Sequence, residues 1–165
     1  MPLVFQLIIR FIALVAVQIF VLDNIHFLGY INPMIYVLFV LSLPIRFPKW
    51  IALLLAFALG LIIDVFSNTL GMHTFATVLL AFARYPIINL FTAFDEGANP
   101  SPAFRTFGVW TYVKYVVICV FLHHFTLFTI ESFTFVGFWH ILPKMLLSIL
   151  VTSSLIFIIQ SFKTK

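Results

Sequence analysis

The strongest constraint on this chain is a series of long apolar runs separated by short polar turns. The first, Leu3 to Leu22, carries a single charge at Arg10. A bilayer core offers no water to backbone N–H and C=O groups, so a run of about 20 apolar residues reads as a spanning helix. Six such stretches are predicted, over residues 3–22, 28–45, 50–66, 70–91, 110–130 and 138–159. At about 20 residues each, they leave too few of the 165 residues for a soluble catalytic domain. Composition agrees: the chain is 64% hydrophobic and 8% charged, where soluble domains hold roughly 45–50% and about 25%. The expected fold is an all-α integral membrane protein, a six-transmembrane-helix bundle forming one domain over residues 1–165.

The second stretch is the least regular. Its core from Met34 to Ile45 is short, a length more often re-entrant or interfacial than spanning. Charge placement argues that it crosses: the loop before it holds Asp23 and no base, and the loop after it holds Arg46 and Lys49. Basic residues collect on the cytoplasmic side of membrane proteins. With six spans and a cytoplasmic N-terminus, Arg10, Arg46, Lys49, Arg84, Arg105, Lys114, Lys163 and Lys165 all fall inside, and Lys144 alone falls outside. Both termini are therefore expected in the cytoplasm. The basic residues do not cluster, so the formal charge of +4 is no nucleic-acid footprint. Cys119, the only cysteine, lies in an apolar run and reads as a packing residue. The N-terminus lacks a signal-peptide pattern, so the first stretch is expected to remain as a helix.

Asp64 is the most informative ionisable residue. An acid at a helix centre is expensive in a membrane, less so near the interface, and is expected to face protein or water. Ala52, Ala56 and Gly60 precede it at steps of four. Small residues at that spacing let helices approach closely, which makes the stripe a helix-packing surface within the chain or an interface with a partner. Asp64 itself is read either as an ion, proton or substrate site or as a structural acid capping the next helix; the second is favoured because no other intramembrane acid offers a relay. His73 lies near it across a short turn, and the two form a possible polar pair. His123 and His124 are adjacent, about 100° apart on a helix, and no H-x-x-x-H spacing is present, so no metal or other cofactor is expected. Arg84 and Lys114 are expected to snorkel to the cytoplasmic interface. Trp50, Trp110, Tyr112, Tyr115 and Trp139 fit interfacial aromatic belts. The sequence holds no phosphate-binding glycine loop and no nucleophile–base motif.

The segment Gly60-Leu61-Ile62-Ile63-Asp64 through Leu70-Gly71-Met72-His73 resembles the centre of the rod shape-determining protein MreD family. That family carries a glycine, an aspartate four residues on, and a Leu-Gly pair opening the next helix; Gly60, Asp64 and Gly71 match it. Length, the Asn32-Pro33 entry to a short second span and the hydropathy pattern resemble it over nearly the whole chain. The resemblance implies a non-enzymatic subunit in the bacterial inner membrane. It implies association with MreC, the actin-like MreB filament, RodA and a penicillin-binding transpeptidase in peptidoglycan synthesis and cell-shape maintenance. It also implies a fold similar to the substrate-binding subunits of energy-coupling-factor transporters. Such a subunit for a vitamin or metal is the alternative function, with Asp64, His73 and Glu131 converging on an outward pocket. The first span argues against it, having Ala13 and Ala16 three apart rather than an Ala-x-x-x-Ala pattern.

Overall fold

In a computed structural model, residues 3–24, 31–91, 99–132 and 138–162 are described. The chain forms α1 (Leu3–Val17), continued by a wider π-turn over Gln18–Leu22, then α2 (Val37–Leu41), α3 (Lys49–Ser67), α4 (Met72–Phe91), α5 (Phe104–Phe107), α6 (Val109–Glu131) and α7 (Phe138–Phe162). Five helices are long and apolar enough to cross a bilayer: Leu3–Leu22, Lys49–Ser67, Met72–Phe91, Val109–Glu131 and Ile141–Phe162. The chain is accordingly a multi-pass helical membrane protein, and no strand is present among the described residues.

The second stretch departs from expectation. Instead of a helix over 28–45, the described residues give a five-residue helix, Val37–Leu41, with a few looser turns on either side. Proline is the reason. Pro33 bounds the segment at one end, and Pro44 and Pro48 at the other. Each lacks an N–H and disfavours helical backbone in the residue before it. Yet residues 33–45 are all buried, and they run from one end of the bundle to the other. Tyr36 meets His73 in the first turn of α4, whereas Leu43 meets Arg84, 11 residues or about 16 Å further along that helix. The path is required by its neighbours. α1 and α3 end side by side, with the Ser67 hydroxyl donating to Asp23 at 3.4 Å, so the chain must return between them.

Irregular backbone survives in such an interior only where its polar groups find partners in the protein. Here side chains of the long helices meet three N–H groups near the start of the segment and three carbonyls near its end. Gln18 Oε1 accepts the N–H of Ile35 at 2.9 Å, Ser148 Oγ that of Asn32 at 3.1 Å, and Thr152 Oγ1 that of Met34 at 3.0 Å. At the far end the Tyr115 hydroxyl donates to the carbonyl of Leu41 at 3.1 Å, Arg84 Nη2 to Leu43 at 2.6 Å, and the Tyr85 hydroxyl to Phe47 at 2.8 Å. Arg84 is therefore fully buried and does not snorkel to the interface. The carbonyls of Leu43 and Pro44, together with the ring of Tyr85 5.1 Å from its guanidinium carbon, hold it inside. Tyr112 and Tyr115 are likewise buried in the core rather than placed in a belt, while Trp50 and Trp110 are exposed and Lys114 lies outward. Cys119 is fully buried among apolar neighbours. The side chain of Trp139, and Lys163 and Lys165, lie outside the described residues.

α4 packs between α3 and α6, and α6 between α4 and α7. Ala52, Ala56 and Gly60 are all buried, so the small-residue stripe is used within the chain and not offered to a partner. Gly60 marks the tightest point. A Cβ there would lie 2.8 Å from the backbone N of Thr74 and 2.9 Å from the carbonyl O of His73, and closer still to the Cα of Thr74. No side-chain rotation relieves a clash with backbone, so the helices must separate if the residue grows. Gly60→Ala is expected to lower stability by about 1–3 kcal/mol, and Gly60→Leu to yield no folded protein. Leu54→Ala, at a position 58% exposed, is expected to leave the melting temperature nearly unchanged. Thermal unfolding of the detergent-purified variants checks all three.

Candidate functional site

Several polar residues of the spans gather at the end where α3 meets α4. α3 stops at Ser67, and Asn68 takes the left-handed conformation at φ 54° as its cap. Gly71 follows at φ 79°, where a side chain would be strained. This turn swings the start of α4 back over Asp64. The Asp64 carboxylate accepts the N–H of His73 at 3.0 Å and of Thr74 at 2.8 Å, the second and third residues of α4. It also accepts the hydroxyls of Thr69 and Thr74, each at 2.5 Å. Helix N-terminal amides lack intrahelical acceptors and carry partial positive charge, so a carboxylate is well matched to them. Asp64, 3% exposed, caps α4. Its contact with His73 runs through the backbone N–H, not the imidazole, because the carboxylate oxygens are already taken by α4 amides and threonine hydroxyls.

The His73 ring turns elsewhere. Its Nδ1 lies 2.8 Å from the Tyr36 hydroxyl, and that hydroxyl lies 3.0 Å from His123 Nε2. The Thr77 hydroxyl donates to the His73 carbonyl at 2.6 Å, and its oxygen lies 3.5 Å from His123 Nε2. The Tyr36 hydroxyl thus joins the two imidazoles, donating to one ring nitrogen and accepting from the other. His124 belongs to a separate set of contacts. Its Nδ1 lies 2.9 Å from the Val120 carbonyl, which can only accept, so Nε2 is bare and takes the Thr152 hydroxyl at 3.3 Å. That places the Thr152 oxygen to receive the Met34 N–H.

His73 also lines a cavity of about 610 Å³. Asp23 and Asn24 at the end of α1, Asn32 at the start of the returning segment, and Glu131 at the end of α6 share its wall with Gln18. Gln18 Nε2 donates to Asp23 at 2.7 Å and to the Pro33 carbonyl at 3.0 Å. Asn24 donates to the carbonyls of Ile19 and Phe20 at 2.9 and 3.3 Å, closing the π-turn. Glu131 pairs with Lys144 at 3.3 Å, the one ion pair among the described residues.

Of the residues singled out in the sequence, His73 and Glu131 share this cavity, whereas Asp64 does not line it. Gly60, Asp64 and Gly71 come together instead in the α3–α4 turn. Among the described residues no group of three His, Cys, Asp or Glu side chains is placed to hold a metal ion. His26 and the side chain of His140 lie outside the described residues. Sequence reasoning missed Gln18, Asp23 and Tyr36 as site residues. Their signal was present: a polar tip inside or ending an apolar run must find a partner.

Loss of the cap tests the junction. Asp64→Ala strands two amides and two hydroxyls and is expected to cost about 2–4 kcal/mol. Asp64→Asn keeps one acceptor oxygen and is expected to fall between that variant and the native protein in thermal unfolding.

No family model, curated protein or solved structure matches the chain, so the reading of its function rests on its own residues.

Proposed function

We propose that the chain is a non-enzymatic scaffold or regulatory subunit of the bacterial cell-elongation machinery, of the MreD type, acting in the inner membrane. Its role is to support peptidoglycan synthesis and cell-shape maintenance beside MreC, RodA, a penicillin-binding transpeptidase and the MreB filament. The observation that carries this reading is the use made of the family-like motif. Gly60 sets the closest approach of α3 and α4, Asp64 caps α4, and Gly71 supplies the turn between them. All three build one helical hairpin, which suits a motif whose task is shape.

In this reading the chain crosses the membrane six times, five times as a helix and once as the segment around α2. The termini and most basic residues lie in the cytoplasm, and the Asp64 end faces outward. Partners are met laterally. Much of the bundle's outer surface is apolar, with Phe5, Ile12, Phe20, Phe57, Phe75 and Phe82 each at least 46% exposed. On the cytoplasmic side residues 99–107 dock on the chain, Ile45 donating to the Pro100 carbonyl at 3.1 Å and Arg46 N–H to Asn99 at 2.8 Å. Residues 95–98 of the same loop lie outside the described residues.

The cavity at the outward end favours a second reading, a substrate-binding subunit of an energy-coupling-factor type transporter. A pull-down of the tagged chain from its native membrane in mild detergent separates the two. The scaffold reading expects MreC with RodA and its transpeptidase in the recovered complex, identified by mass spectrometry. Recovery of paired ATPases with a coupling membrane subunit overturns it.

A further inference from the structure

We propose that His73, Tyr36 and His123 form a single proton-binding site, loaded from the cavity and holding one added proton shared between the two imidazoles. The inference rests on this side-chain cluster and is independent of the scaffold reading.

The cluster has an entrance and an interior. His73 lines the cavity, whereas Tyr36 and His123 are fully buried. The Tyr36 hydroxyl lies 2.8 Å from His73 Nδ1 and 3.0 Å from His123 Nε2, both within hydrogen-bond range. The chain ends at His123, whose Nδ1 has no hydrogen-bond partner among the described residues.

The donors and acceptors set how many protons the cluster holds. A neutral imidazole offers one N–H and one bare nitrogen, and a phenol offers one O–H and an accepting oxygen. With both rings neutral the chain closes in either direction. An added proton makes one ring a donor at both nitrogens. That ring donates to the Tyr36 oxygen and Tyr36 donates to the other ring, so both hydrogen bonds survive whichever ring is charged. The charge passes inward in two hops. The proton on His73 Nδ1 moves to the Tyr36 oxygen as the Tyr36 proton moves to His123 Nε2. One N–H and one O–H bond break, and one of each forms. A second proton would make both rings donors to the same oxygen, leaving the Tyr36 O–H without its nitrogen acceptor and two cations on one phenol.

Burial of the rings works against a charge, and the acids at this end work for it. Asp64 on α3 accepts the backbone N–H of His73 itself. Asp23 at the end of α1 and Glu131 at the end of α6 share the cavity wall with His73, and Lys144 on α7 offsets Glu131. On α6 the His124 ring lies 5.5 Å from that of His123, its nitrogens facing the Val120 carbonyl and the Thr152 hydroxyl. α4 carries no charged residue between His73 and Arg84.

Full-length protein in detergent, isotope-labelled at its histidines, is followed by NMR from about pH 8 to about pH 5. The His73 and His123 ring signals are expected to move together with one midpoint, and their uptake to sum to one proton per chain. Tyr36→Phe cuts the relay: His73 then titrates alone and the His123 response is lost. His73→Gln removes the entrance on the cavity wall and is expected to abolish the His123 response as well, which keeps the test open if the Tyr36 variant proves unstable. Ring signals that stay fixed over this range, uptake of two full protons, or an unaltered His123 response in either variant overturns the proposal. None of these outcomes bears on which proteins accompany the chain in a pull-down, so this inference and the scaffold reading fail separately.

Discussion

The architecture depends on finding partners for the backbone of one segment, Ile31–Pro48, that passes through the bundle without a continuous helix. Water is unavailable there, and each unpaired N–H or C=O costs several kcal/mol in such surroundings. That requirement accounts for six of the polar side chains found in the long helices. Gln18, Ser148 and Thr152 serve donors, and Tyr115, Arg84 and Tyr85 serve acceptors. The division follows from helix polarity. A short helix exposes its first N–H groups and its last C=O groups, and α2 with its flanking turns does the same on a small scale. Arg84 fits this scheme better than lysine would, because a planar guanidinium reaches the Leu43 and Pro44 carbonyls together.

The α3–α4 hairpin solves a different problem with few residues. Two apolar helices have no hydrophobic reason to meet inside lipid, so their association rests on close packing and polar contacts. Gly60 supplies the first by bringing backbone to backbone, and Asp64 the second by capping α4 from the last turn of α3. A carboxylate at the end of α3 is poorly matched to that helix's own dipole. It is retained because the next helix supplies two amides and two threonine hydroxyls within reach.

Much of the fold was legible in the sequence. Five of the six predicted stretches are long helices whose ends fall within three residues of expectation. Their length and apolarity leave no competing structure. The second stretch was not legible as a helix or a loop, because prolines and apolar run length gave opposite signals and charge placement speaks only to crossing. Arg84 was misread for a related reason. Its distance from the interface predicts snorkelling, but its partners are the Leu43 and Pro44 carbonyls some 40 residues away, just past the end of α2. Of the site, Asp64 and His73 were legible as neighbours, though not the route of their contact. The cavity was only partly so. His73 and Glu131 were legible as candidates for it, but Asp23 enters through the π-turn, which no periodicity announces.

The segment around α2 has a mechanical consequence. It is bonded to α1 through Gln18, to α4 through Arg84 and Tyr85, to α6 through Tyr115, and to α7 through Ser148 and Thr152. These bonds lie at two levels, one near each end of the bundle. A sliding or tilting motion of any one of those helices stretches bonds that the other three also hold. The segment is therefore a shared tie rod, and a push delivered to the outer face of one helix is distributed to all four.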